Sequence, residues 1–319
     1  MRAYQIAERG ATPGIVEVPD PKPGPGEVLI RLRATGLNFA DTLMIRGTYQ
    51  DIPEPPFTLG MEAAGEVLEV APDVADLVPG DRVCVFAGQG GLAEMGAFPA
   101  DRVVKIPDEM SFEHAAAFQI AYGTSHVALK GLARLAPGET LLVTGAAGGV
   151  GLTAVEIGAK LGARVVAQAR GAQKLDIARA AGAESVIDGD DDLREKMKAL
   201  GGADVVYETI GGDIFRAAFR STNPGGRLIP IGFAGGEVPQ IPANHLMVKN
   251  LTVIGFYIGG YMKVRPQVIR DSLTELMDWY VAGRLSPHVS SVLPLDEVAT
   301  GLDLLRTRQA TGKVVIVPG

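Results

Sequence analysis

Residues Leu141 to Ala169 read LLVTGAAGGVGLTAVEIGAKLGARVVAQA. Leu141–Thr144 is a short apolar run. A glycine-rich turn follows at once, and Val150, Ala154, Ile157, Gly158 and Leu161 then recur at helical spacing. Gly162 stands where such a helix stops, and Arg164–Ala167 reads as a second strand. Strand, glycine turn, helix and strand make one βαβ unit. In a G-x-G-x-x-G fingerprint the first glycine turns the chain, the second lets a pyrophosphate approach the backbone, and the third lets helix and strand pack closely. In AAGGVG, Ala146 stands at the first position, and Gly148 and Gly151 hold the second and third. A helix starting near Gly149 points its free N–H groups at phosphates. Ala146, Gly148, Gly149, Val150 and Gly151 are therefore the expected contacts. The plainer alternative is a glycine-rich turn with no ligand. The strand before it and the helix after it speak against that.

Outward from this unit the pattern keeps alternating. Helices are expected at Ala172–Ala181, Asp191–Leu200 and Asp213–Thr222, and strands at Ser185–Ile187, Asp204–Glu208, Arg227–Ile231 and Leu251–Gly255. Such alternation predicts a parallel sheet covered on both faces. Ligands lie outside the carboxyl ends of such strands, which selects Thr209, Ile210, Gly232, Phe233, Phe256, Tyr257 and Ile258. A site for NADH places an acid about 20 residues beyond the glycines, on the ribose 2′-hydroxyl. Here the stretch is Ala167–Gln168–Ala169–Arg170, without an acid, and Arg170 and Lys174 can pair with a 2′-phosphate. NADPH is the expected cofactor. Asp188, after the third strand, would weaken phosphate binding if it pointed inward.

Residues 1–120 differ. Short strand-like segments recur at Met1–Ile6, Ile15–Val18, Val28–Ala34, Ala64–Val70, Arg82–Phe86 and Asp101–Lys105, which suggests a β-rich domain. From Ser111 the pattern turns helical, with Ala115–Leu129 alanine-rich and apolar. Residues 261–319 hold a long helix at Pro266–Ala282 and a closing strand at Lys313–Val317. The net charge of −7 and the lack of a basic cluster argue against nucleic acid as a partner. No run of 18 apolar residues spans a membrane, the first residues lack an apolar signal core, and Cys84 is the single cysteine. A cytoplasmic protein is expected.

GLNFADTLMIRGTY (Gly36–Tyr49), LGMEAAGEV (Leu59–Val67), GDRV (Gly80–Val83), GAAGGVG (Gly145–Gly151) and GKVVI (Gly312–Ile316) together cover nearly the whole chain. With these markers the chain resembles the zinc-independent medium-chain dehydrogenase/reductases of the quinone oxidoreductase branch. The resemblance implies an α/β protein with two domains. A GroES-like β-rich catalytic domain would be built from residues 1–120 and 261–319. A Rossmann domain with a doubly wound parallel sheet would occupy 121–260 and bind NADPH, with the active site in the cleft and a homodimer as the assembly. It also implies that Asn38, Tyr49 and Thr124 serve catalysis, that Lys174 binds the 2′-phosphate, and that Lys313 reaches the cofactor. Tyr122 is a weaker candidate for the same pocket. In the zinc enzymes of the wider family a G-H-E motif stands where this chain has Gly60–Met61–Glu62, and a ligand cysteine falls in the segment Gly36–Leu37–Asn38. Neither ligand is here, so no metal is expected. Hydride transfer to an electron-poor acceptor, a quinone or an α,β-unsaturated carbonyl, needs only hydrogen bonds at the oxygen. A reductase of enals or enoyl-CoA thioesters is the alternative within the fold. An NADPH-binding structural or nucleic-acid-binding protein is the alternative of another class. His114 and His126 share a helical stretch and are expected to be packed histidines.

Overall fold

Along Glu27–Arg33 buried and more exposed side chains alternate, as they do in a strand of a sheet with one wet face. The structure is a computed structural model that describes all of residues 1–319. Its contacts divide the chain into two units, Met1–Ile120 with Met277–Gly319, and Ala121–Leu276.

The first unit begins with β1 (Arg2–Ile6), β2 (Gly14–Glu17), β3 (Glu27–Gly36), α1 (Phe39–Ile45), β4 (Phe57–Thr58), β5 (Glu62–Val70), β6 (Arg82–Phe86), β7 (Met95–Pro99), β8 (Val103–Lys105) and α2 (Phe112–Ala116). Helix α3 (Gln119–His126) crosses into the second unit, where a π-helical turn at Val127–Leu132 extends it. There follow β9 (Thr140–Thr144), α4 (Gly149–Lys160), β10 (Arg164–Ala169), α5 (Ala172–Ala180), β11 (Ser185–Asp188), α6 (Leu193–Ala199), β12 (Ala203–Glu208), α7 (Gly212–Ser221), β13 (Thr222–Pro230), α8 (Ala243–Lys249), β14 (Thr252–Val253) and α9 (Ile258–Val264). Helix α10 (Pro266–Val281) leads back into the first unit, which closes with β15 (Val289–Pro294), α11 (Val298–Arg306) and β16 (Lys313–Val317).

The second unit's sheet is parallel throughout, in the order β11-β10-β9-β12-β13-β14. From β9 the chain winds outward to β11, then returns to the other side of β9 at β12. The point where the order reverses lies between β9 and β12. Strand β9 is buried at every position, as a central strand covered on both faces must be. Leu142, Val166, Val206 and Leu228 from four neighbouring strands share one core with Phe215 and Phe219 of α7. In the first unit a seven-stranded sheet runs β15-β16-β3-β5-β6-β8, with β7 on β3, and β2-β1-β4 forms a smaller sheet. Its core gathers Val28, Ile30, Leu32, Val67, Val83, Val85 and Phe98. No helix is long and apolar enough to cross a membrane.

Four expectations change. The return to the first unit falls at Met277 and not at residue 261, because α10 crosses the boundary. Its Ser272 hydroxyl lies 2.8 Å from His126 Nδ1 in the second unit, while Tyr280 lies 2.9 Å from His114 Nδ1 in the first. The helix expected over Ala115–Leu129 breaks between α2 and α3. There the N–H of Ile120 donates to Glu62 Oε2 at 2.9 Å, and the carbonyl of Ala116 lies against Gly36. The strand expected at Leu251–Gly255 shrinks to two residues. Strand β7 is unexpected, since Gly96 and Pro99 read as breakers; Pro99 sits at its end, and Gly96 leaves room for the Phe98 ring.

Candidate functional site: a glycine turn and a buried charge cluster

The turn between β9 and α4 sits at the reversal of strand order. Gly145 takes φ +61°, and a side chain there would collide with Thr209 and Ile210. The tight turn is therefore made by Gly145, one residue before the position the fingerprint assigns to Ala146. Ala146 is fully buried and its N–H donates to the carbonyl of Gln168 at 3.0 Å, so its backbone donor holds β9 to β10. A Cβ on Gly151 would strike the carbonyl of Gly145, which is the close packing expected of the third glycine. Gly148 differs: a Cβ there would meet only Gly145 O, at 3.4 Å. The chain itself does not fill the space over Gly148. The N–H groups of Gly149, Val150 and Gly151 form the first turn of the twelve-residue α4, where no intrahelical acceptor exists. A bare backbone beside three free donors and a helix dipole fits a pyrophosphate.

Across the reversal point, β12 ends in Glu208, which is fully buried. Its Oε1 accepts from Thr144 Oγ1 at 3.1 Å, Ile210 N at 2.8 Å and Gly211 N at 3.0 Å, and its Oε2 from Gly211 N at 3.1 Å. Burial pushes this carboxyl up; the N–H groups of Gly211 and Ile210 and the Thr144 hydroxyl pull it down, and burial prevails. Sequence reasoning missed Glu208. The available signal was an acid closing the apolar run Val205–Val206–Tyr207. Thr209, expected to face the cofactor, has both donors engaged: its N–H with Thr144 Oγ1 at 3.0 Å and its hydroxyl with Thr144 O at 2.8 Å. It builds the edge of the site and has no donor for a ligand. The N–H and C=O of Ile210 are also taken, by Glu208 and by Gly235 N, which leaves its half-exposed side chain. Gly232 follows β13, and Phe233 beside it is 37% exposed. Phe256 makes an edge contact with Tyr261 at 5.0 Å, Tyr257 precedes α9, and Ile258 is buried toward Gly123 of α3.

At the end of β10, Arg170 is exposed and Lys174 is half-exposed in the first turn of α5. Two carboxylates lie in the same turn at the end of β11. Asp188 Oδ2 accepts from Gly171 N at 3.2 Å, and Asp190 Oδ1 lies 3.6 Å from Arg170 Nε.

In the first unit, Asn38 precedes α1. Its Nδ2 donates to Gly36 O at 3.1 Å and to Glu62 Oε1 at 3.0 Å, and its Oδ1 accepts from Lys313 Nζ at 2.8 Å. Both amide hydrogens are thus engaged, by Gly36 O and Glu62 Oε1. Lys313 is buried and also donates to Leu37 O and Glu62 Oε1, each at 2.8 Å. All three of its protons are thus engaged within the first unit, by Leu37, Asn38 and Glu62. Asp41, in the same cluster, is fully buried and accepts from Asn38 N at 2.7 Å. Burial pushes it up to about 7, against the pull of that N–H and of Lys313, and Glu62 raises it further. Tyr49 lies half-buried after α1. Thr124 is buried on α3 in the second unit. Tyr122 donates its hydroxyl to Glu156 at 2.5 Å and is a core residue. His114 packs on Tyr280 in the first unit, and His126 bonds Ser272 in the second.

Residues 24–108 match the family model described as alcohol dehydrogenase GroES-like domain, and residues 149–279 the one described as zinc-binding dehydrogenase. A quinone oxidoreductase-like protein 2 homolog of Nematostella vectensis is 42% identical over 300 residues, covering 92% of this chain and 82% of that one. Among solved structures, the quinone oxidoreductase of Thermus thermophilus, also solved as its complex with NADPH, is 34% identical with a TM-score of 0.86, covering 100% of both chains. The Escherichia coli quinone oxidoreductase complexed with NADPH is 28% identical with a TM-score of 0.92 over 99% of both chains. The reversal point with its glycine turn, the GroES-like first unit and a relative this similar over nearly the full length agree: the chain belongs to the quinone oxidoreductase branch of the medium-chain dehydrogenase/reductases.

Proposed function

We propose that this protein binds NADPH on the glycine turn and reduces a quinone, or a similarly electron-poor carbonyl compound, without zinc. The observation that carries the cofactor assignment is the open backbone at Gly148 beside the first turn of α4. The N–H groups of Gly149, Val150 and Gly151 hold the pyrophosphate. Arg170 and Lys174 take the 2′-phosphate, with Asp190 competing for Arg170. The names of the NADPH-complexed structures above support the same cofactor. When bound, the dihydronicotinamide supplies a hydride.

The buried cluster supports the metal-free reading by its chemistry. The ammonium of Lys313 lies 2.8 Å from both Asn38 Oδ1 and Glu62 Oε1. A divalent cation placed on those oxygens would face that fixed positive charge. With Met61 beside them in place of a histidine, the donor set does not suit zinc. The chain then has hydrogen bonds alone to offer a developing oxyanion, and a quinone or enone needs no more. Tyr49 is the first-unit candidate for that bond.

Titration of NADPH and NADH against wild type, Arg170→Ala and Lys174→Ala tests the cofactor assignment. Loss of a charge-assisted bond to phosphate predicts roughly 10- to 100-fold weaker NADPH binding for Lys174→Ala with NADH unchanged. An unchanged NADPH/NADH ratio in both variants would overturn it.

A further inference from the structure

Glu208 is a carboxylate at the end of a central strand, out of water, with four hydrogen bonds to its two oxygens. Two of its donors are successive backbone N–H groups, Ile210 and Gly211, which wrap the β12–α7 turn around it; Gly211 adopts φ +82° there. The third donor, the Thr144 hydroxyl, comes from the last residue of β9 and in turn accepts from Thr209 N. Thr209 and Ile210 then pack on Gly145, where no side chain would fit. Further out, Ala234 N donates to Thr209 O at 3.1 Å and Gly235 N to Ile210 O at 2.7 Å. One buried carboxylate thus joins the ends of β9 and β12 and the loop after β13. A neutral packing residue would hold a core equally well without the cost of burying a charge. What the carboxylate adds is a fixed backbone path.

From this geometry we propose that Glu208 is a positioning residue for the nicotinamide half of the cofactor. The proposal rests on the NADPH assignment above. A doubly wound sheet binds a dinucleotide across the reversal point, one mononucleotide on each half. Arg170 and Lys174, beyond β10, serve the adenosine half. The turn that Glu208 shapes, Thr209–Gly211, and the loop it steadies after β13, Gly232–Gly235, lie on the other half. Glu208 touches neither cofactor nor substrate; it acts through the backbone of Ile210 and Gly211.

Glu208→Gln tests this with little change in shape. A glutamine amide must turn its NH2 toward Gly211 N or toward the cluster of three donors, so either orientation sets donor against donor. The expected result is roughly tenfold weaker binding of NADPH and NADH alike, with the affinity for 2′,5′-ADP, which carries only the adenosine half, unchanged. Equal loss for all three probes would reveal general loosening of the unit and overturn the proposal, as would no loss for any. Thr144→Val, which keeps a β-branched strand residue but removes one donor to Glu208 together with the acceptor of Thr209 N–H, is expected to show the same pattern and carries the test if Glu208→Gln fails to fold. A wild-type protein that binds neither NADPH nor 2′,5′-ADP would overturn the cofactor assignment and this proposal with it; loss confined to the whole dinucleotides in the variants supports both.

Discussion

Asp41 is buried completely, and only one of its carboxylate oxygens has a hydrogen-bond partner. Lys313 attracts it, Glu62 repels it, and desolvation outweighs both hydrogen bonds and attraction, so it titrates at about 7 rather than near its ordinary value of 3.8. The native state then holds a proton between pH 4 and 7 that the unfolded chain releases, and stability must fall as pH rises through that window. The loss approaches roughly 4 kcal/mol above it, to order of magnitude. His126, lowered to about 4 by burial, works in the opposite sense, because its unfolded form binds the proton first as pH falls below about 6.5. Asp41→Asn keeps an acceptor for Asn38 N–H and removes the titration. Denaturation of variant and wild type in parallel cancels His126: the variant should gain on wild type steadily from pH 4 to pH 7. A difference independent of pH would show that Asp41 stays ionised throughout. The same cluster marks the limit of what sequence alone shows at this scale. Asn38 and Lys313 are 275 residues apart in the chain, and nothing in either motif says that each satisfies the other. Each motif taken alone therefore points to a ligand.

Among the elements, the βαβ unit from β9 to β10 is plain in the sequence because its signals are local: an apolar run, a glycine turn and helical spacing. Strand Lys313–Val317 and strand Arg82–Phe86 agree to the residue for the same reason. Elements set by distant partners do not. The break between α2 and α3 depends on Glu62, and β7 exists because β3 offers it an edge. The displaced turn glycine, Gly145 instead of Ala146, shows in the backbone angle alone. The two remaining glycines make separable predictions. Gly148 has an ordinary backbone, φ −80° and ψ 174°, and a Cβ there meets only Gly145 O at 3.4 Å, so Gly148→Ala should cost at most about 1 kcal/mol, through the N-cap of α4. It should nonetheless weaken NADPH binding, since the methyl enters the space a pyrophosphate needs. Gly151→Ala forces a Cβ into Gly145 O and should destabilise by roughly 1–3 kcal/mol before any ligand is added. Thermal unfolding and cofactor titration on both variants check this; equal stability loss in the two would show that Gly148 is a packing glycine as well.

For the whole molecule, the second unit's sheet ends at β14, a two-residue edge strand, and Met247 and Val248 of the preceding α8 are 74% and 75% exposed. An unpaired edge beside exposed apolar side chains fits pairing with a second copy of the chain. Light scattering at micromolar concentration should give a dimer, and Val248→Lys should shift it toward monomer; a monomeric wild type would contradict that assembly. Hydride transfer from NADPH to an electron-poor acceptor without a metal is tested by a single turnover experiment. Protein treated with a strong chelator and freed of metal is mixed anaerobically with NADPH and a quinone, and loss of the dihydronicotinamide absorbance is followed against hydroquinone formed. One hydroquinone is expected per NADPH, at a rate unchanged by chelation or by added zinc. Activity that disappears with the metal and returns with zinc, or no turnover with quinone, enal or enoyl thioester despite tight NADPH binding, would contradict it.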